Sequence, residues 1–386
     1  MHLFQKKFAH LMRAPKFGPL RFGLGQDGAD NSRLREVDSF GPNPGALRMF
    51  CHVPKRLASG RSLVVVLHGC TQTAAGYDLG TGWSTLADRY GFALLMPQQQ
   101  RANNPNGCFN WFQPGDIERG QGEARSIREM IERTVIDHNI DRHRVFVTGL
   151  SAGGAMASVM LATYPDVFAG GAIIAGLPFG VAKGVPEALA SMKQCPVKSP
   201  KAWGDLVRNA SPYDGPWPRI SIWHGSADRT VTPSSASEIL KQWKDVHGLT
   251  SAAPETATVD GYPRQLWRDA AGKEVIESYS ITRMAHGTPL ATGNGADQGG
   301  IAGAFLLDVG ISSTYHIAKF WGLDKSLQAH AAATEVQPSP ANAAKPDHGY
   351  QPEQPTADVE DGPGLGTDVK AIITRALTAA GLMKGP

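Results

Sequence analysis

A serine hydroxyl is a poor nucleophile at neutral pH unless a base takes its proton and its oxygen is held in the open. The run Arg144-Val-Phe-Val-Thr-Gly-Leu-Ser151-Ala-Gly-Gly154 is built to do the second. Ser151 stands between Gly149 and Gly153, and glycines two residues either side leave room for a backbone that a Cβ would block. Val145, Phe146 and Val147 read as a buried strand. From Ala152 the chain turns to small and then apolar residues at helical spacing, which lets a helix sit close on a sheet. The pattern predicts strand, sharp turn and helix, with Ser151 at the turn. The alternative is a Gly/Ser loop with no chemistry.

A serine nucleophile needs a base, and the base needs an orienting carboxylate. Both are expected on loops after later strands, in the order serine, acid, histidine. Ile220-Ser-Ile-Trp-His-Gly-Ser-Ala-Asp228 is a strand running into a polar turn, and Asp228 lies just past the strand's C-terminal end, where open α/β sheets build their sites. Asp205 and Asp214 are rivals, but neither follows a buried strand. Val275–Ile281 leads to Thr-Arg-Met-Ala-His286-Gly, which puts His286 on a loop after the last strand. The competing histidines are His316, in a helical stretch where packing or capping is the ordinary role, and His247, near a helix end and expected to be solvated.

Acyl transfer also needs donors aimed at the developing oxyanion. The backbone N–H of Ala152 is one candidate. Cys70 is the other, in the loop His68-Gly-Cys-Thr-Gln72 that follows the apolar Leu63–Leu67, although His68-Gly69 also reads as a simple turn. Metal chemistry has little support, since there is no H-E-x-x-H, no C-x-x-C and no close carboxylate–histidine cluster. A G-x-G-x-x-G nucleotide fingerprint is missing between the first strand and first helix. Neither a cofactor nor a metal is expected.

The elements that must carry these residues follow from the whole chain. With 386 residues and 41% hydrophobic content it can bury one large α/β domain or two smaller ones. A net charge of +3 with both signs intermixed forms no basic stripe, which argues against a nucleic-acid partner. No apolar run approaches the ~20 residues of a membrane span. Strands are expected at Leu47–Val53, Leu63–Leu67, Phe92–Met96, Val145–Thr148, Gly171–Ala175, Ile220–Trp223 and Val275–Ile281. Helical patterns at Glu123–His138, Ala152–Thr163, Ser234–His247 and Ile311–Trp321 alternate with several of them. That alternation implies a mostly parallel sheet with helices on both faces. Arg264–Arg268 pairs with Val275–Ile281 as a hairpin at a sheet edge.

Residues 1–44 read as a lead-in, irregular through about residue 40. Met1–Met12 lacks the continuous apolar stretch of a secretory signal, but Phe4, Phe8, Leu11 and Met12 share a helical face suited to packing on the body or docking on a lipid or polyester surface. The catalytic body spans 45–323 and an Ala/Pro-rich linker spans 324–366. Residues 367–386 form an amphipathic helix through Val369, Ile372, Ile373, Ala376, Leu377 and Ala380. Such a tethered helix packs on its own domain or a sister subunit, or anchors the chain to a partner or an insoluble substrate. The four cysteines permit disulfides without showing any.

Together, Leu67-His-Gly-Cys-Thr-Gln72, Cys108-Phe-Asn-Trp-Phe112, Gly149-Leu-Ser-Ala-Gly153, His224-Gly-Ser-Ala-Asp228 and the run Asp308–Gly322 resemble the polyhydroxybutyrate depolymerase family of esterases. That family is related to the feruloyl and acetylxylan esterases of the first carbohydrate esterase family. The resemblance covers residues 45–323 and implies an α/β-hydrolase fold and carboxylic-ester hydrolysis without a cofactor. It implies Ser151 as nucleophile, Asp228 as acid, His286 as base, and Cys70 and Ala152 as the oxyanion hole. It also implies a Cys70–Cys108 disulfide, and makes Trp111 and Phe112 substrate-side aromatics, with core packing as their alternative. Secreted members carry a signal and a separate substrate-binding domain, and neither is evident in this sequence. The substrate stays open between hydroxyalkanoate esters, feruloyl or acetyl groups on polysaccharide, and small synthetic esters. A non-catalytic hydrolase-like binding module is the rival of a different class, and peptide cleavage finds no separate gating domain in the sequence.

Overall fold

Five consecutive apolar residues, Leu63–Leu67, leave a strand no face for water, and all five are fully buried. Leu63, Val65 and Leu67 belong to one apolar cluster, Val64 and Val66 to a second. Side chains alternate across a sheet, so this sheet has a core on each face. The computed structural model describes residues 32–324 apart from Ser59.

In chain order the strands are β1 (Arg35–Val37), β2 (Arg48–His52), β3 (Leu63–Leu67), β4 (Ala93–Gln98), β5 (Val145–Leu150), β6 (Gly170–Ile174), β7 (Arg219–Gly225), β8 (Glu255–Val259), β9 (Tyr262–Arg268), β10 (Glu274–Ile281), β11 (Thr288–Leu290) and β12 (Leu306–Asp308). The helices are α1 (Ala74–Thr81), α2 (Trp83–Tyr90), α3 (Pro114–Ile117), α4 (Gly122–His138), α5 (Ala152–Thr163), α6 (Val185–Lys193), α7 (Pro200–Arg208), α8 (Ser234–Val246) and α9 (Ser313–Phe320). One ten-stranded sheet has the order β1-β2-β4-β3-β5-β6-β7-β10-β9-β8, and β11 and β12 pair separately. From β4 across to β10 every neighbouring pair is parallel. The outer strands on both sides run antiparallel. The arrangement is the α/β-hydrolase type, a mostly parallel sheet with helices on both faces.

The parallel block matters for chemistry because its strands all end at one edge. The loops after β3, β5, β7 and β10 leave the sheet there, and those four carry Cys70, Ser151, Asp228 and His286.

Three expectations are corrected. The lead-in is not irregular throughout, because Arg35–Val37 pairs antiparallel with β2. The β9–β10 hairpin is not at the edge, since β8 pairs outside β9. Both missed strands are largely exposed, so their sequences carry no apolar alternation. His247 is not simply solvated: its Nε2 lies 3.0 Å from the Pro218 carbonyl, and burial pulls its pKa down to about 4. The apolar face at Phe4–Met12 and the linker and amphipathic stretch beyond residue 324 lie outside the described residues. Among the described residues no helix is long and apolar enough to cross a membrane.

Candidate active site

β5 ends at Leu150 and α5 begins at Ala152, so Ser151 alone makes the turn, at φ +56° and ψ −116°. Positive φ in a residue with a Cβ stores strain, which the surroundings must hold. Here the Ser151 N–H donates to the Ile174 carbonyl of β6 at 2.9 Å, and its carbonyl accepts from the Ala155 N–H at 2.8 Å. The flanking glycines answer to close approach. A Cβ at Gly149 would lie 2.4 Å from the Gly153 carbonyl oxygen, and one at Gly153 would lie 2.2 Å from that of Leu67.

Ser151, His286 and Asp228 meet across three loops. The Ser151 Oγ lies 2.8 Å from His286 Nε2, and His286 Nδ1 lies 2.7 Å from Asp228 Oδ2. The other Asp228 oxygen accepts the backbone N–H groups of Thr230 at 2.8 Å and Val231 at 3.0 Å. Burial alone would raise the Asp228 pKa, but hydrogen bonds from His224 and His286 outweigh it and hold the carboxyl well below the usual range. An ionised Asp228 keeps the His286 proton on Nδ1 and leaves Nε2 free to accept from serine. The loops of Asp228 and His286 are tied by backbone. Ser226 N–H donates to Ile281 at 2.9 Å, and Ala227 N–H to Met284 at 3.0 Å. Neither rival base stands here. His316 lies in α9 with Nε2 2.7 Å from Asp260, and His247 bonds Pro218. Asp205 pairs with Lys201 and Arg208 on α7, and Asp214 is exposed.

A disulfide joins Cys70 to Cys108. Around it runs a closed circuit of hydrogen bonds. His68, fully buried, donates from Nδ1 to the Gly69 carbonyl at 2.8 Å, and its Nε2 accepts the Gln99 N–H at 3.1 Å. Burial holds the His68 pKa down at about 4, so the ring is neutral. The Gln99 amide donates to the buried Glu123 carboxylate and, at 3.1 Å, to the Cys108 carbonyl. Glu123 accepts the Asn110 N–H at 2.9 Å, and the Asn110 side chain accepts from Asn104 at 3.0 Å. Asn104 in turn accepts the Asn106 N–H at 3.0 Å, and the Asn106 carbonyl accepts the Thr71 N–H at 2.8 Å, which returns the path to the loop of Cys70. Ala152 opens α5, so its N–H lies outside the helix's own ladder.

Ser151, His286 and Cys70 open into a cleft of about 110 Å³. Its apolar wall includes Trp111, Phe112, Leu150 and Phe305 and, from α6, Val185, Ala188, Leu189 and Met192. Gln72, Asn104 and Asn106 supply polar groups. Trp111 is also part of the core and packs edge-on to Phe112, with ring centroids 5.2 Å apart. The sequence reading missed α6, although Pro186 in its first turn was a usable start signal. It also missed Glu123, Gln99 and the role of His68 beneath the loop.

The family model described as Esterase PHB depolymerase matches residues 50–261. Poly(3-hydroxyalkanoate) depolymerase C of Paucimonas lemoignei is 50% identical over 291 residues, covering 75% of this chain and 70% of that protein. Feruloyl esterase B of Talaromyces stipitatus is 32% identical over 279 residues, 70% of this chain and 76% of that protein. Among solved structures, the acetyl xylan esterase from Aspergillus awamori superposes with a TM-score of 0.63 at 28% identity, covering 75% of this chain and 99% of that one.

Glu123 generates a test of the circuit. Burial, with the nearby Asp116 carboxylate adding to it, pushes its carboxyl from 4.5 up to about 8. An acid that holds its proton more tightly when folded takes up protons on folding between those values. Its contribution to stability is therefore lost as pH rises through that window. Glu123→Gln removes the titration. The stability of the variant, read by chemical denaturation, is expected to gain on that of the wild type steadily from about pH 5 to about pH 8. A difference that does not change with pH would show that the Glu123 carboxyl is not perturbed.

Proposed function

This chain belongs to the Esterase PHB depolymerase family and is a carboxylic-ester hydrolase, and on that premise we propose that Ser151 is its nucleophile, His286 its general base and Asp228 the orienting acid. His286 takes the Ser151 proton as Oγ attacks the ester carbonyl carbon. The N–H groups of Cys70 and Ala152 hold the oxyanion of the tetrahedral intermediate. As the intermediate collapses, His286 returns the proton to the departing alcohol, leaving an acyl group on Ser151. Water then enters, gives its proton to His286 and attacks the acyl carbon. The acid departs and Ser151 regains its hydrogen. The observation that carries this reading is the unbroken contact from Ser151 through His286 to Asp228, 2.8 Å and 2.7 Å, with Ser151 and His286 lining a cleft.

The substrate proposed is a hydroxyalkanoate ester or oligomer. The apolar wall, with Trp111 and Phe112, suits short aliphatic units, and the amides of Gln72, Asn104 and Asn106 suit the ester oxygens that recur along such a chain. The 50% identity to a poly(3-hydroxyalkanoate) depolymerase supports the same choice. A feruloyl or acetylxylan substrate is the second reading, favoured by the relatives at about a third identity. The finer part of the proposal is that residues 367–386 dock the chain on an insoluble polyester or on a sister subunit.

A fluorophosphonate probe is expected to label wild type at Ser151 and to leave Ser151→Ala unlabelled. The variant should lose about four to six orders of magnitude in p-nitrophenyl butyrate turnover. Near-normal activity in Ser151→Ala would remove the nucleophile assignment, and an unlabelled wild type would favour a binding module. Compared side by side, a hydroxybutyrate trimer should give a higher kcat/KM than methyl ferulate or acetylated xylan; the reverse order selects the second reading. Deleting residues 326–386 is expected to slow hydrolysis of a polyester film while leaving the trimer rate unchanged. Equal film rates would end the idea of docking on polyester.

A further inference from the structure

Asp228 receives more donors than the orientation of one histidine requires. His224, near the end of β7 and 3% exposed, places Nε2 3.0 Å from the Val231 carbonyl oxygen and 3.3 Å from Asp228 Oδ2. A carbonyl can only accept, so Nε2 carries the proton and donates it to Val231, with Asp228 Oδ2 in ion-pair range beside that N–H. The other nitrogen, Nδ1, is buried and has no hydrogen-bond partner. All of the ring's polar contact with the protein therefore runs through Nε2. Val231 closes the arrangement, since its carbonyl accepts from His224 while its N–H donates to Asp228 Oδ1. Oδ2 therefore has two imidazole N–H groups beside it, His286 hydrogen-bonded at 2.7 Å and His224 at 3.3 Å.

We infer that His224 is a positioning residue of the reaction: its N–H holds Asp228 with Oδ2 turned to His286 and draws off part of the charge that His286 would otherwise receive. The inference rests on the assignment of Ser151, His286 and Asp228 proposed above. It follows from how a carboxylate oxygen divides its acceptor strength. A second N–H dipole beside Oδ2 takes up part of its charge and weakens its hold on the His286 N–H. The charged and titratable groups bonded within this assembly are His224, Asp228 and His286 themselves. Arg229 and Arg283 adjoin the two loops, and both are exposed.

His224→Leu removes the donor and keeps an apolar filler. It is expected to lower kcat about tenfold through misplacement of the carboxylate. It should also move the acid limb of the kcat/KM–pH profile up by about half a unit to one unit. His224→Gln carries an amide N–H to the place of Nε2 and should restore both. A leucine variant with an unmoved acid limb overturns the inference, and so does a glutamine variant that behaves like leucine. Should His224→Leu not fold, nitrogen-15 correlation spectra of histidine-labelled wild type decide it. Protonation of His224 at Nε2 supports the inference, and protonation at Nδ1 refutes it. Ser151→Ala and Asp228→Asn are run beside these. Activity retained in either one defeats the triad assignment, whereas their inactivity with a silent His224→Leu defeats the role of His224 alone.

Discussion

The site depends on how closely the start of α5 approaches the end of β3. At Gly153 there is no space for a single extra carbon, because the Leu67 and His68 carbonyl oxygens would stand 2.2 Å and 2.5 Å from it. That separation sets where the strained turn at Ser151 lies relative to the loop of Cys70. A wider gap would carry the Ser151 hydroxyl away from the loop's backbone N–H groups, and hydrogen-bond donors serve a developing oxyanion only within about 3 Å. The two glycines in the pattern around Ser151 thus record a distance between two backbones as much as the shape of a turn.

From that contact the rest is arranged by parallel pairing. β5, β6, β7 and β10 lie side by side and point the same way, so the loops of Ser151, Asp228 and His286 leave at one edge. Backbone bonds between the β7 and β10 loops then hold the loop of Asp228 against that of His286 before any side chain is considered. Burial would tend to neutralise Asp228, and its donors keep it charged. Under the Cys70 loop burial has the opposite outcome, holding His68 neutral and raising Glu123 towards neutrality near physiological pH.

Much of this was legible in the sequence, for local reasons. Ser151, Asp228 and His286 each follow the C-terminal end of a largely apolar strand, so a short window brings each forward as a candidate. What escaped depends on neighbours far away in the chain. α1 carries Gly76 and Gly80, which weaken its helical pattern; at Gly80 a Cβ would lie 2.1 Å from a Leu306 methyl, so tertiary packing chose the residue. β8 has no buried face along most of its length and hence no alternation to read. Glu123 looks like an ordinary acid in the first turn of a helix, and only the folding of residues 108–112 over it makes it interior. His224 reads as a polar residue near a strand end, and its relation to Asp228 exists only as a distance.

The helix α6 faces this fixed machinery on different terms. Its N-terminal end is tied by the Gly184 N–H to the Phe112 carbonyl at 2.8 Å, and near its C-terminal end the Met192 carbonyl accepts the Thr232 N–H at 2.8 Å. Between those ties it presents aliphatic side chains that take no part in the proton path or the hydrogen-bond circuit. Substitutions along that wall can redraw the shape of what is admitted while the reactive apparatus stays as it was. Selectivity and reactivity are thereby separable traits, and a lineage built on this scaffold can diversify its diet without reinventing its chemistry.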